Sequence, residues 1–374
     1  MNKHVIAVVG LGTMGLGIAQ TYAAAGFAVL ATDAHAPTRG AAYGRVQASL
    51  DRRVAAGKLT DVARNATLSN LTVVQDVAGL APADLVIEAI VENLSSKQTL
   101  FAALERAVAP VAILATNTSS LSVTAVCADL AHPNRALGLH FFNPAPVMRL
   151  VELVAHAGTS LAALTLARQI TEKAGKSVIQ CPDTPGFIVN RCARPYYGEA
   201  LALLEEGRTP QDIDAALQAA GYPLGPFGLI DLIGADINLA ATEGLHAAMG
   251  RHPRYHVFDA LRGAVAAGRL GRKSGQGFVY PGKADRAPAD ADQIVLRIEA
   301  TLINEAGFLQ TAGGLLPDDI DRALRLGLNF PYGPFAALSR IGKPRILAEL
   351  SRLLTSAPPH LKARYLPAPA LRLP

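Results

Sequence analysis

A histidine and a glutamate twelve residues apart hold the chemistry this chain could perform. His140 ends an apolar run in Leu139-His140-Phe141-Phe142-Asn143-Pro144. Glu152 stands inside a second apolar run, Leu150-Val151-Glu152-Leu153-Val154. A lone carboxylate in an apolar strand is costly to bury, so Glu152 needs a partner, and a histidine at a neighbouring strand end supplies one. A carboxylate on one imidazole nitrogen fixes the tautomer and raises the basicity of the other. Such a pair could take a proton from an alcohol. Ser119, in Asn117-Thr118-Ser119-Ser120, could polarise a substrate oxygen or simply cap a following helix. Asn190, in Pro185-Gly186-Phe187-Ile188-Val189-Asn190-Arg191, could be a helix-surface amide or could face a cleft where a second domain begins.

A hydride acceptor for that alcohol is suggested near the N-terminus. The apolar run Val5–Val9 leads directly into Gly10-Leu11-Gly12-Thr13-Met14-Gly15, a helix follows, and a second apolar run over 27–32 ends at Asp33. Gly10 permits the tight turn, Gly12 lets backbone approach a pyrophosphate, and Gly15 lets helix and strand pack closely. The helix N-terminus offers N–H groups to the phosphates. Asp33 would accept hydrogen bonds from the adenosine ribose and repel a 2′-phosphate, which favours NAD over NADP. Residues 36–60 read as a helix carrying Arg45, Arg52, Arg53 and Lys58, either a solvated face or a clamp for a phosphorylated substrate.

The elements that position these groups alternate. Strands are expected over 71–74, 84–89, 112–116 and 136–140, with helical stretches such as 97–108 between them, which predicts a doubly wound parallel α/β sheet. Ligands of such sheets lie beyond the C-terminal strand ends. There the chain offers Glu92 with Asn93, Asn117 to Ser120, and His140 with Asn143.

The 374 residues, 39.0 kDa, are too many for one core and suggest two or three domains. With 50% hydrophobic and 17% charged residues the chain is not disordered, and without Trp its cores must be aliphatic. Cys127, Cys181 and Cys192 form no Cys-x-x-Cys pair and the histidines do not cluster, so disulfides and a metal site are not expected. No apolar run reaches the roughly 18–20 residues of a membrane helix. Met1-Asn2-Lys3-His4 precedes too short an apolar run for a signal peptide, so a reducing cytoplasm is expected. A net charge of +5 favours acidic ligands mildly. No Lys/Arg run interleaved with aromatics points to nucleic acid.

Taken together, these residues resemble the NAD-dependent (S)-3-hydroxyacyl-CoA dehydrogenase family over roughly 3–283. The glycine turn, Glu88-Ala89-Ile90-Val91-Glu92-Asn93, Asn117-Thr118-Ser119-Ser120, His140-Phe141-Phe142-Asn143-Pro144, Leu150-Val151-Glu152, the run ending in Asn190-Arg191, Gly225-Pro226-Phe227 and Gly271-Arg272-Lys273-Ser274-Gly275 all stand where that family has them. The resemblance implies a Rossmann domain followed by helical domains, NAD as cofactor and an acyl-CoA thioester as substrate. It implies His140 as general base, Glu152 as its orienting partner, and Ser119 and Asn190 holding the reacting oxygen or thioester. Residues 10–15, Asp33, Glu92, Lys97, Asn117, Asn143 and Lys273 would contact NAD. Ser49 falls where the family touches CoA, and Lys58 falls near the family's usual lysine.

The C-terminal half also repeats itself. Glu199-Ala200, Pro210-Gln211-Asp212-Ile213-Asp214 and Gly225-Pro226-Phe227 recur as Glu305-Ala306, Pro317-Asp318-Asp319-Ile320-Asp321 and Gly333-Pro334-Phe335. Arg254-Tyr255 recurs as Arg364-Tyr365. The expected organisation is a Rossmann domain over 1–183, a helical domain over 184–283, a second, truncated copy over 290–365 and a tail over 366–374. The second copy lacks counterparts of Asn190 and Lys273, so it is expected to be structural. In single-copy relatives the helical domain pairs with its twin across a dimer. The second copy would replace that twin within one chain, leaving a monomer; otherwise a homo-oligomer is expected. The tandem copies most resemble the phenylacetate-degradation branch, which acts on 3-hydroxyadipyl-CoA. Two other readings remain: a dehydrogenase of a free hydroxy acid, and a non-catalytic NAD-binding or structural protein on the same fold.

Overall fold

The computed structural model describes residues 4–284 and 286–372. Residues 1–3 of the expected first domain, residue 285 between the two expected helical copies and residues 373–374 of the expected tail lie outside the described residues. The chain divides into two compact units, Met1–Phe187 and Ile188–Pro374.

The first unit is built on one eight-stranded sheet of order β3-β2-β1-β4-β5-β6-β7-β8. Its strands are β1 (Val5–Val9), β2 (Ala28–Thr32), β3 (Leu71–Val73), β4 (Leu85–Glu88), β5 (Ile113–Thr116), β6 (Ala136–Phe141), β7 (Leu150–Ala155) and β8 (Ser177–Pro182). The helices are α1 (Thr13–Ala24), α2 (Ala36–Ala55), α3 (Asp61–Ser69), α4 (Leu94–Ala107), α5 (Val123–Val126) and α6 (Leu161–Lys173). Strands β1, β4, β5 and β6 are buried along almost their whole length, as continuous apolar runs in a sheet covered on both faces should be. The strand order reverses between β1 and β4, so the crevice at their C-terminal ends is the expected ligand site.

The expected parallel sheet is present with an addition, and one expected helix boundary changes. The sheet is parallel only through β6; β7 runs antiparallel to β6, and β8 follows β7 in parallel. The reason is length. The β6–β7 connection spans only residues 142–149, short of the dozen or more residues a parallel crossover needs. The helix expected over 36–60 ends at Ala55, because Gly57 turns the chain at φ +66°. Lys58 therefore sits beyond the helix face that carries Arg45, Ser49 and Arg52.

The second unit is helical. A first set comprises α7 (Val189–Glu205), α8 (Pro210–Ala219), α9 (Pro226–Ile233), α10 (Ala235–Ala248) and α11 (Asp259–Ala266). A second comprises α12 (Ala291–Gly313), α13 (Pro317–Leu328), α14 (Pro334–Ile341), α15 (Lys343–Ser356) and α16 (Pro369–Arg372). The repeat is structural as well as sequential. Asp214 accepts the first amides of α9, from Phe227 at 2.9 Å and Gly228 at 2.7 Å. Asp321 does the same for α14, from Phe335 and Ala336, both at 2.8 Å. A Cβ on Gly225 or Gly333 would stand 2.3 Å from the corresponding aspartate, which explains both Gly-Pro-Phe turns.

The two sets exchange charges. Glu199 of α7 binds Arg297, Arg364 and Tyr365 of the second set. Glu305 of α12 binds Arg191, Arg254 and Tyr255 of the first. The expected tail is part of this packing: Ala368 and Leu371 are buried against Leu296, Ala300 and Ile303 of α12. Among the described residues no helix is long and apolar enough to cross a membrane, no group of side chains could hold a metal ion, and the three cysteines are free.

Candidate active site

The glycine turn divides its work among three positions. Gly10 has φ +94°, and a Cβ there would lie 2.5 Å from the Ala89 carbonyl oxygen. At Gly15 a Cβ would lie 1.7 Å from the Gly10 carbonyl oxygen, so α1 can seat on the turn only without a side chain. At Gly12 a Cβ would meet nothing within 4 Å. Its backbone, φ −66° and ψ −167°, is open to any residue. The space over Gly12 is thus left for something other than protein. Gly12 also starts α1 with no side-chain cap, so the helix presents its first amides there. Asp33 accepts from Leu11 N–H at 2.7 Å and from His35 N–H at 2.8 Å, which fixes it at the end of β2 beside the turn. This cradle fits a dinucleotide.

The strand register brings the two distant candidates together. His140 on β6 and Glu152 on β7 are direct cross-strand partners. The His140 Nδ1 lies 2.6 Å from Glu152 Oε2. Glu152 is fully buried and His140 only 6% exposed, with Phe142 and Phe187 against the imidazole at ring distances of 4.6 and 5.7 Å. With Nδ1 donating to the carboxylate, Nε2 carries the lone pair. Asn117 holds this end of β6 by accepting from Phe141 N–H at 2.9 Å.

A second carboxylate organises the loop after β5. Glu92 Oε1 accepts from Thr118 Oγ1 at 2.6 Å, Ser119 N–H at 3.1 Å, Ser120 N–H at 3.2 Å and Ser120 Oγ at 2.8 Å. Its Oε2 lies 3.2 Å from Lys97 Nζ. Burial alone would raise this carboxyl, but the Thr118 hydroxyl, the Lys97 charge and the Ser120 and Ser119 donors outweigh it and hold it below the usual range. Lys97 is 1% exposed and also binds Glu88 at 2.6 Å, so it sits behind Glu92. The helix after this loop is capped by Ser122, which accepts from Ala125 N–H, and not by Ser119, which is exposed. Glu88 escaped sequence reasoning as a site residue, and Thr118 and Ser120 were placed at this face without a role. Their role depends on which strand ends lie side by side, although Glu88 in an apolar strand carried the same signal as Glu152.

A groove of about 430 Å³ runs beside this face of the sheet, between α1, α2 and the loop after β6. Arg45, Ser49, Arg52 and Arg53 of α2 line one wall and Asn143 to Val147 the other, with no acidic residue among the lining side chains. The buried stripe Ala42, Val46 and Leu50 fixes α2 on the sheet and turns the arginines toward the groove. Lys58 is exposed and outside that lining. Asn190 and Lys273 belong to the second unit. Asn190 opens α7, and Lys273 Nζ lies 2.6 Å from Asp236 Oδ2.

The sheet, the glycine turn and the histidine–carboxylate pair define the class: a Rossmann-fold, NAD-dependent oxidoreductase. The chain belongs to the 3-hydroxyacyl-CoA dehydrogenase family, matching its NAD binding domain over residues 5–184 and its C-terminal domain twice, over 186–280 and 294–365. It is 36% identical to 3-hydroxyadipyl-CoA dehydrogenase of Escherichia coli (strain K12), across 100% of this chain and 97% of the relative. That alignment runs over 467 positions, so the relative carries residues without a counterpart here. A probable 3-hydroxybutyryl-CoA dehydrogenase of Bacillus subtilis (strain 168) is 39% identical over 74% of this chain and 97% of its own. The crystal structure of 3-hydroxybutyryl-CoA dehydrogenase from Escherichia coli K12 superposes with a TM-score of 0.91 at 35% identity, covering 100% of this chain and 98% of that one.

Proposed function

We propose that this dehydrogenase reversibly oxidises an (S)-3-hydroxyacyl-CoA to the 3-ketoacyl-CoA, with His140 as general base. The observation that carries the reading is the 2.6 Å contact between His140 Nδ1 and the buried Glu152 carboxylate at the end of β6. Glu152 keeps the proton on Nδ1, so Nε2 takes the substrate hydroxyl proton, and the carboxylate stabilises the imidazolium that results. Bound NAD would supply the acceptor for the C3 hydride. In the reverse direction the imidazolium returns its proton to the ketone oxygen. Ser119 and Asn190 hold the reacting oxygen or thioester. Glu92, with Lys97 behind it, Asn117, Asn143 and Lys273 position the cofactor. Ser49 and the arginines of α2 receive the CoA phosphates: a groove with three guanidinium groups and no acid suits a polyanion.

The acyl group is a dicarboxylic C6 chain in this reading, since one of the relatives matched over the whole chain is named for 3-hydroxyadipyl-CoA. The helical segments 184–283 and 290–365 act as a pair within one chain, so the enzyme works as a monomer. Three buried free thiols suit a reducing cytoplasm. The test is NADH oxidation with acetoacetyl-CoA and with 3-oxoadipyl-CoA, for wild type and His140→Ala. Turnover that falls about 10²–10⁴-fold in the variant, with NADH binding intact, supports the base. Comparable turnover by the variant removes His140 from the mechanism. A wild type that binds NADH but reduces neither thioester points instead to a non-catalytic protein on this fold.

A further inference from the structure

The two exchanged ion clusters of the helical unit do not cancel in charge. Glu305 serves both Arg191 and Arg254, and Glu199 serves both Arg297 and Arg364. Among the described residues, only Arg297 of these four has a further carboxylate, Glu206. Beside them lies Arg194, 7% exposed, with no carboxylate in ion-pair reach among the described residues. It donates instead to the Asn190 carbonyl at 3.1 Å and to Thr242 Oγ1 at 2.9 Å, and lies over the Tyr197 ring at 4.9 Å. Around these two clusters buried guanidinium charge thus exceeds buried carboxylate charge. Uncompensated charge of this kind is expensive to hold away from water.

The surplus converges on a cavity. Arg194, Arg254 and Arg364 line a small, largely enclosed space with Tyr197, Gly198 and Phe258. Arg364 is 3% exposed, and its Nη2 has no hydrogen-bond partner among the described residues. That nitrogen faces Gly198 so closely that a Cβ there would stand 2.8 Å from it. The free space admits a single occupant of about the size of a water molecule.

We propose that this cavity is a halide site, occupied by chloride, held by Arg194 from the first helical set and by Arg364 from the second. A water molecule would accept from Arg364 Nη2 but leave the charge surplus in place. A single negative sphere meets both needs, and the cavity is too small for phosphate or sulfate. Because its ligands come from both sets, the ion would act as a bridge between them.

The test uses the full-length protein. Thermal unfolding in sodium chloride should have a midpoint about 4 °C above that in sodium gluconate at equal ionic strength, as expected for a ligand bound by the native state alone. Arg194→Gln should erase that difference. Crystals grown in sodium bromide should give an anomalous peak between Arg194 and Arg364. Equal midpoints in the two salts, or a halide effect undiminished in Arg194→Gln, would overturn the proposal. So would bromide crystals with only water in the cavity. If Arg194→Gln does not fold, the bromide peak in the wild type decides the question.

Discussion

Gly12 and Gly15, three residues apart in one turn, should respond to alanine in opposite ways. At Gly15 the new Cβ would stand 1.7 Å from the Gly10 carbonyl oxygen, a backbone atom with no flexible end to swing aside. Ordinary contact needs more than 3 Å, so α1 or the turn must move by over 1 Å. Overpacking of this kind costs about 1–3 kcal/mol, and a clash this deep with a backbone carbonyl places it at the upper end. For a unit of this size that lowers the melting midpoint by roughly 6–10 °C. At Gly12 the Cβ meets nothing, and φ −66° suits alanine. Restricting the unfolded chain should then add about 0.4–1 kcal/mol of stability. The methyl group, however, stands where the pyrophosphate must approach, and NADH affinity should fall at least about tenfold, or 1.4 kcal/mol. Calorimetry of the apoprotein and NADH fluorescence titration separate the two effects, and the chain has no Trp to obscure the second. A Gly12→Ala protein that binds NADH like the wild type, or that is markedly destabilised without it, would refute this division of labour.

Three further outcomes can be checked. Arg52→Glu with Arg53→Glu should raise KM for acetoacetyl-CoA at least about tenfold, more at low salt, and leave KM for NADH unchanged; steady-state kinetics at two ionic strengths decide it. Glu305→Ala and Glu199→Ala should each cost about 3–5 kcal/mol, because each removes a buried carboxylate shared by two arginines; denaturant titration of both should show the losses, and a negligible loss in either would contradict the exchanged-cluster account. Lys176 Nζ donates to the carbonyls of Ala145 at 2.5 Å and Met148 at 2.8 Å, and burial pushes its ammonium down to about 8. The unfolded lysine holds its proton to about 10.4, so between these values the unfolded chain binds more protons and stability from this site rises with pH. The stability of wild type relative to Lys176→Met should therefore increase from pH 7.5 to 9.5, and a constant difference would remove Lys176 as the cause.

Local signals were the readable ones. Val5–Val9, the three glycines and Asp33 lie within one strand–turn–helix–strand stretch, and each found its expected place. The partner of Glu152 could be anticipated because burial of a carboxylate demands one. Its identity became certain only with the β6–β7 register. The reversal at β7 was encoded in the eight-residue connection, but the parallel pattern of the preceding strands masked it. Lys58 was misplaced because one glycine, Gly57, outweighed the helical pattern around it. The Glu92 loop, the α2 groove and the exchanged glutamates depend on contacts between residues far apart in sequence, and composition carries no trace of such pairings.

The exchange of glutamates between helical sets has a kinetic corollary. Two separate chains that traded such clusters would come apart on dilution, and any geometry they impose on α7 would go with them. Here both partners are tethered by a short span of chain, so the second meets the first at an effective concentration that no dilution can lower. Catalytic output per molecule should then be the same at picomolar enzyme as at micromolar. The tether also frees the second set from sequence identity with the first. On the proposed single-chain pairing, the second set is free to lack the asparagine and lysine that the first set carries.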